Sequence, residues 1–265
     1  MSAVIAKDGT RIGYERQGSG PCVILVGGGL DDGSENDPLA AELAAHFTVY
    51  NYARRGRGAS GDTPPYALER EFEDLAALVA EAGGSAHLYG VSTGGALVLE
   101  AAAAGLSAGR LAVYEVPYRL DPAWPARWRD YIDALAAALE AGDRGGAIEL
   151  FLDLTGSTAD DIARVRASPY WPALEALAHT LAYDAACLGD GRPPAARLET
   201  ISRPTLVATG DDRPPEAADW VLALDEAADA IAASIPRADR RTIPGQGHIV
   251  DPKTFAQVLV EFVAQ

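Results

Sequence analysis

The chain predicts an α/β fold: a mostly parallel central sheet flanked by helices, interrupted by an all-helical insertion. Three observations carry this. Short apolar runs of strand length alternate with longer helical periods. The alternation stops near residue 117 and resumes at Pro204. The pentapeptide Gly90-Val91-Ser92-Thr93-Gly94 stands where one such run meets a helical period.

Two β-like segments, Ser2–Ala6 and Arg11–Arg16, flank a Lys7-Asp8-Gly9-Thr10 turn. Cys22-Val23-Ile24-Leu25-Val26 is a continuous apolar run, as a strand buried on both faces should be, and Gly27-Gly28-Gly29 ends it. A helix is expected over Pro38–Ala45, a strand over Phe47–Tyr50, a Gly/Arg-rich loop over Arg54–Gly61 and a helix over Leu68–Glu81. Ala86–Tyr89 reads as the next strand, Ala96–Ala104 as a helix and Leu111–Tyr114 as another strand. Strands alternating with helices imply parallel pairing through crossovers. From Pro117 to Arg203 the pattern is helical, broken by Gly and Pro and rich in aromatics. Strand Pro204–Thr209, helix Glu216–Ser234, strand Arg240–Ile243 and helix Pro252–Val263 complete the chain. Residues 1–117 and 204–265 are therefore expected to form the sheet core, and residues 118–203 a helical cap. Such an insertion follows the C-terminal end of a strand, the edge where α/β sheets bind ligands, and a lid role follows.

The 265 residues suit one large domain with a sizeable core. The apolar fraction is 48% and the charged fraction 23%, both ordinary for a globular chain. A net charge of −16 repels nucleic acid and anionic membranes, so neither is an expected partner. The N-terminus lacks a basic stretch followed by a long apolar run, no segment suits a membrane span, and Cys22 and Cys187 form no disulfide framework. A cytoplasmic protein, monomeric or homodimeric, is the expectation.

Gly-x-Ser-x-Gly between strand and helix is the pattern of a nucleophile elbow. Its glycines serve a crowded, strained turn that aims the serine Oγ outward beside the first amides of the helix. A serine hydroxyl needs a base within hydrogen-bond reach. Of the four histidines, His248 fits best, in the glycine-rich turn Gly245-Gln246-Gly247-His248 after the last strand. His46 and His87 read as structural; His179 in the insertion is a candidate for the pocket.

The order of these motifs resembles the α/β-hydrolase superfamily over nearly the whole chain, in particular small actinobacterial-type members with a helical cap. Val26-Gly27-Gly28-Gly29 stands where the family has its His-Gly oxyanion loop, with Gly27 in place of the histidine. Arg54-Arg55-Gly56-Arg57-Gly58-Ala59-Ser60 is similar to the family's Asp-x-Arg-Gly-x-Gly-x-Ser loop, with Ala53 where an Asp is usual. The resemblance implies Ser92 as nucleophile, His248 as base and the Gly29 and Thr93 amides as oxyanion hole. Loss of the Asp at Ala53 is expected to leave Arg54 or Arg55 without its partner, unless another carboxylate such as Asp62 substitutes or one arginine turns to the cleft.

The acid of the triad has several candidates. Gly210-Asp211-Asp212-Arg213 matches the family's acid loop, but the expected position holds Arg213, leaving Asp212 or Asp211. Glu115 directly follows the strand Leu111–Tyr114, where some members of the superfamily carry their acid. A carboxylate at a buried strand end is costly unless paired, with His248 or with an arginine of the Arg54–Arg57 loop. Glu115 is the first expectation and Asp212 the alternative. Trp128, Trp171, His179 and Tyr183, together with Trp124, are candidates for the substrate wall, and Asp31–Asp37 reads as an acidic surface loop.

These residues imply hydrolysis of a small-molecule ester, thioester or lactone through an acyl-enzyme, with no metal and no organic cofactor. Serine at the elbow disfavours the carboxylate-nucleophile chemistries of dehalogenases and epoxide hydrolases. A lyase or cyclase of a biosynthetic pathway, or a binding protein with a decayed triad, is the alternative, since fold does not fix function.

Overall fold

The computed structural model describes residues 2–212 and 218–265. Among the described residues eight strands make one sheet: β1 (Ser2–Ile5), β2 (Arg11–Gly18), β3 (Cys22–Val26), β4 (Thr48–Tyr52), β5 (His87–Val91), β6 (Leu111–Tyr114), β7 (Thr205–Gly210) and β8 (Ala238–Ile243). Their spatial order is β1-β2-β4-β3-β5-β6-β7-β8. The first hairpin and the β2–β4 pair are antiparallel, and every pair from β4 to β8 is parallel.

Parallel strands need crossovers, and helices supply them. They are α1 (Asp37–Leu43), α2 (Leu68–Glu81), α3 (Thr93–Ala103) and α10 (Ala218–Ser234), and α11 (Pro252–Ala264) follows the last strand. The helix expected over Pro38–Ala45 begins at Asp37, with Pro38 in the first turn where no amide donor is needed, and ends at Leu43. The start expected at Glu216 lies outside the described residues, as does Arg213.

The sheet separates two cores. On one face α1 and α11 bring Leu39, Leu43, Phe255, Leu259 and Phe262 against Val23, Leu25, Val49 and Tyr89. Phe255, Leu259 and Phe262 recur at helical spacing, so one stripe of α11 is buried. On the other face, Leu75, Leu78 and Val79 of α2 and Leu97 to Leu99 of α3 pack on Ile24, Val26, Leu88 and Val113. β3 and β6 lie inside the sheet between two helix layers, which is why their runs are apolar throughout.

Between β6 and β7 the described residues form α4 (Trp124–Glu140), α5 (Arg144–Leu154), α6 (Ala159–Arg166), α7 (Trp171–Leu177), a single 3-10 turn (Ala178–Thr180), α8 (Leu181–Leu188) and α9 (Ala195–Leu198). α8 lies on α3, so α3 is enclosed on both sides and its residues from Thr93 to Ala101 are all buried. Among the described residues no helix is long and apolar enough to cross a membrane.

Candidate active site

The C-terminal ends of β3, β5, β6, β7 and β8 lie side by side in the sheet, and the loops leaving them build one site. β5 runs to Val91, and Ser92 follows with φ 54° and ψ −127°, then α3 begins at Thr93. Ser92 is pinned by its own amide, which donates to the Tyr114 carbonyl at 2.9 Å, while its carbonyl accepts from Gly95 at 3.0 Å. The flanking glycines are steric necessities. A Cβ on Gly90 would lie 2.5 Å from the Gly94 carbonyl oxygen, and one on Gly94 would lie 2.4 Å from the carbonyl oxygens of both Gly27 and Val26. The glycine loop after β3 is thereby laid against the elbow, with Gly28 facing the Ser92 side chain.

Glu115 leaves β6 in the same left-handed region, with φ 50°. The turn swings its side chain along the strand ends, where it is only 4% exposed. Oε1 accepts the Gly210 amide at 3.0 Å, and Oε2 lies 2.7 Å from His248 Nδ1. An amide donor and a histidine thus satisfy a carboxylate that would be prohibitive if left alone. The turn carrying His248 is fastened on several sides: Tyr114 Oη donates to the Gly247 carbonyl at 2.6 Å, and the Asp251 amide to Gln246 Oε1 at 2.7 Å. The other two acid candidates also hold this turn. Asp211 Oδ1 accepts the Gly245 amide at 2.6 Å, and the exposed Asp212 donates its own amide to the Gln246 carbonyl at 2.9 Å. His248 Nδ1 is engaged by Glu115, so proton exchange with a nucleophile would fall to Nε2.

Ser92, Thr93, Gly28, Gly29 and His248 line one cavity of about 330 Å³. Its remaining wall is mainly apolar and comes largely from the helices between β6 and β7: Trp124, Trp128, Tyr131, Phe151, Leu154, Leu181 and Leu188, with Asp184 among them. Trp124 and Trp128 line this cavity. Trp171, His179 and Tyr183 are elsewhere. Trp171 is buried against Gly145 beneath the Arg166 guanidinium, as an aromatic at helical spacing is when helices pack on one another. Tyr183 stacks on Tyr66 at 3.8 Å and donates to Asp62 Oδ2 at 2.7 Å, and His179 meets the same carboxylate oxygen at 3.7 Å. Burial holds the His179 imidazole below its ordinary pKa. His87 is structural, its Nδ1 accepting the Arg110 amide at 3.0 Å.

The acidic stretch after the glycine loop is not all surface. Asp31 is buried, its Oδ1 accepting the Gly33 and Glu35 amides at 2.8 and 3.1 Å. Glu35 stands at the cavity wall; desolvation, reinforced by Asp31, raises its carboxyl above the usual range, and His248 works in the other direction.

The arginine loop corrects a further expectation. Arg54, Arg55 and Arg57 are all buried and all paired, and none lines the cavity. Arg54 makes a two-pronged contact with Glu71 at 2.8 and 2.7 Å and donates to Asp184 at 2.7 Å. Arg55 grips Asp74 the same way, at 2.8 and 2.7 Å, and reaches Asp8 at 3.0 Å. Arg57 donates to Asp184 at 2.7 Å and to the Gly28 carbonyl. Asp62 therefore does not take the place of the acid missing at Ala53; α2 and α8 supply the carboxylates. Half of this was legible. Glu71 and Asp74 share the face of α2 that buries Leu75 and Leu78, and acids on a buried stripe require buried cations. Asp184, remote in sequence, carried no such signal.

A mostly parallel sheet with a strained serine at a strand-to-helix turn, and a histidine–carboxylate pair at the same edge, defines a hydrolase-type α/β enzyme. The chain belongs to the alpha/beta hydrolase family, whose model matches residues 23–258. A crystallised α/β hydrolase from Sphaerobacter thermophilus is 46% identical, with 98% of this chain and 99% of that one aligned and a TM-score of 0.85. A hydrolase of Pseudomonas aeruginosa is 26% identical over 100% of this chain and 98% of its own, with a TM-score of 0.72. An uncharacterized hydrolase of Bacillus subtilis, YraK, is 33% identical over 96 residues, 35% of each chain, so this chain matches about a third of that relative's length.

Proposed function

We propose that the protein is a serine hydrolase that cleaves an ester, thioester or lactone of a small molecule through an acyl-enzyme on Ser92. The observation that carries this is the 2.7 Å contact between Glu115 Oε2 and His248 Nδ1, with His248 and the elbow serine lining one cavity. His248 Nε2 takes the Ser92 proton as Oγ bonds to the substrate carbonyl carbon, and the carbonyl π electrons move onto oxygen. The Gly29 and Thr93 amides receive that oxyanion. When the carbon–oxygen or carbon–sulfur bond to the leaving group breaks, His248 returns the proton to it. The base then activates water, which releases the acid and restores Ser92. Glu115 orients the imidazole and stabilises its charged form, a role that its second hydrogen bond, from Gly210, pre-sets.

The helices α4 to α9 act as a cap that closes the apolar wall over the reacting carbonyl. A cavity of about 330 Å³, at the small end of ligand sites, suits a compact, largely apolar acyl group.

A fluorophosphonate probe tests the reading. Stoichiometric labelling at Ser92, abolished in Ser92→Ala and His248→Ala, is expected. Folded wild-type protein that takes no label contradicts the assignment and points to a non-hydrolytic use of the fold.

A further inference from the structure

Asp184 joins the helices over the site to the oxyanion loop through one atom. It projects from α8 and is 3% exposed. Its Oδ1 accepts three hydrogen bonds: from Arg54 Nη1 at 2.7 Å, from Arg57 Nη2 at 2.7 Å and from Thr93 Oγ1 at 2.8 Å. Each donor leads back to the catalytic centre. Thr93 follows the nucleophile and carries one oxyanion amide. Arg57 also donates through Nη1 to the Gly28 carbonyl, and Arg54 Nη1 approaches the Gly27 carbonyl at 3.5 Å, so both guanidiniums brace the loop that carries the other amide. The two walls of the hole are thus referenced to a single carboxylate oxygen on an inserted helix.

Charge makes this arrangement specific. Arg54 and Arg57 bring two buried cations together, and Glu71 with Asp184 balances them. Glu71 engages Arg54, so Asp184 is the carboxylate shared by both arginines. Oδ2, by contrast, is buried with no hydrogen-bond partner among the described residues, beside Gly29. All of the fastening passes through Oδ1.

We infer that Asp184 is a positioning residue for the oxyanion hole, so that the Gly29 and Thr93 amides reach catalytic geometry only with α8 docked. The inference rests on the serine-hydrolase reading and deepens it. Oxyanion donors act at about 2.7–3.1 Å from the developing charge, and a small displacement of either wall lowers the rate without removing the pocket.

Two substitutions test it. Asp184→Asn keeps the shape and an acceptor at Oδ1 but removes the charge. Thr93→Val removes one of the three donors and leaves both ion pairs, so it carries the test if Asp184→Asn fails to fold. On a short-chain aryl ester, kcat is expected to fall about tenfold in Thr93→Val and about 30- to 100-fold in Asp184→Asn, with KM changed less than about threefold. Thr93→Ser, which returns the hydroxyl, recovers most of the loss. The readout that a packing role would not move uses a trifluoromethyl ketone, to which Ser92 adds to give an oxyanion, and its secondary alcohol, which cannot form one. The ketone is expected to weaken in step with kcat and the alcohol to bind as before. Equal weakening of both, or unchanged kcat in a folded Asp184→Asn, overturns the inference and leaves the hydrolase reading standing. A wild-type enzyme that forms no ketone adduct overturns both.

Discussion

At the strand edge, position is set by backbone. Three non-glycine residues among those described have positive φ, Leu30, Ser92 and Glu115, and all three lie in the loops that leave β3, β5 and β6 for the site. Each such residue costs about 1–3 kcal/mol, so the sheet must hold them in place. Under α8, position is set by charge. Arg54, Arg55 and Arg57 find Glu71, Asp74, Asp8 and Asp184, and Asp184 is 130 residues from Arg54. The first region gains its accuracy from the rigidity of neighbouring parallel strands. The second gains it from the penalty for leaving any buried charge unpaired. The proposed catalytic groups stand on the strand edge, while the charge network fixes what surrounds them.

The largest expected effect on stability breaks the charged region. Arg54→Met leaves Glu71 and Asp184 short of a buried partner, and urea denaturation is expected to show a loss of about 3–5 kcal/mol. A loss below ~1 kcal/mol would mean that the arginine loop is not held by these pairs. The strand edge breaks differently. Gly94→Ala puts a methyl group against two backbone carbonyls that cannot retreat, at a cost of about 1–3 kcal/mol. Its activity should fall further than its stability, because the glycine loop is displaced from Ser92; esterase assays on the folded fraction check this.

The smallest effect sharpens the charged region at its rim. Burial works against ionisation of Asp8, but hydrogen bonds from Thr10 and Arg55 prevail and hold its carboxyl at about 2. A carboxylate lowered on folding stabilises the native state above its unfolded value near 4 and loses that contribution as pH falls towards 2. Asp8 is half-buried at the edge of the network, where solvent screens the pair, so the contribution is about 1 kcal/mol. Asp8→Asn should therefore narrow the gap to wild type in denaturation curves as pH falls from 5 to 2.5; a constant gap contradicts the assignment.

The same contrast explains what the sequence discloses. The elbow is local: five consecutive residues between a strand and a helix specify a turn that glycine alone permits. Glu115 was visible as a charge ending a fully buried strand, a placement that demands a partner. The shortlist of acids nonetheless stayed open, because Asp211 and Asp212 lie next to the family's acid position, held here by Arg213, and only the fold shows them clamping the turn that carries His248. The partners of the arginines depend on contacts made by separate helices, and no spacing rule links Arg54 to Asp184. The cavity wall fails for a related reason. Trp171, Tyr183 and Trp128 are equivalent in sequence, and helix packing alone turns Trp128 towards the cavity and the other two away from it.

Glu115 is the residue proposed to orient His248, and ester hydrolysis by Glu115→Gln beside Asp212→Asn tests that central role most directly. The amide keeps the shape but favours the wrong imidazole tautomer, so kcat is expected to fall by about 10³- to 10⁴-fold, while Asp212→Asn stays within about threefold of wild type. Full activity in folded Glu115→Gln, or the large loss appearing in Asp212→Asn instead, would contradict the account.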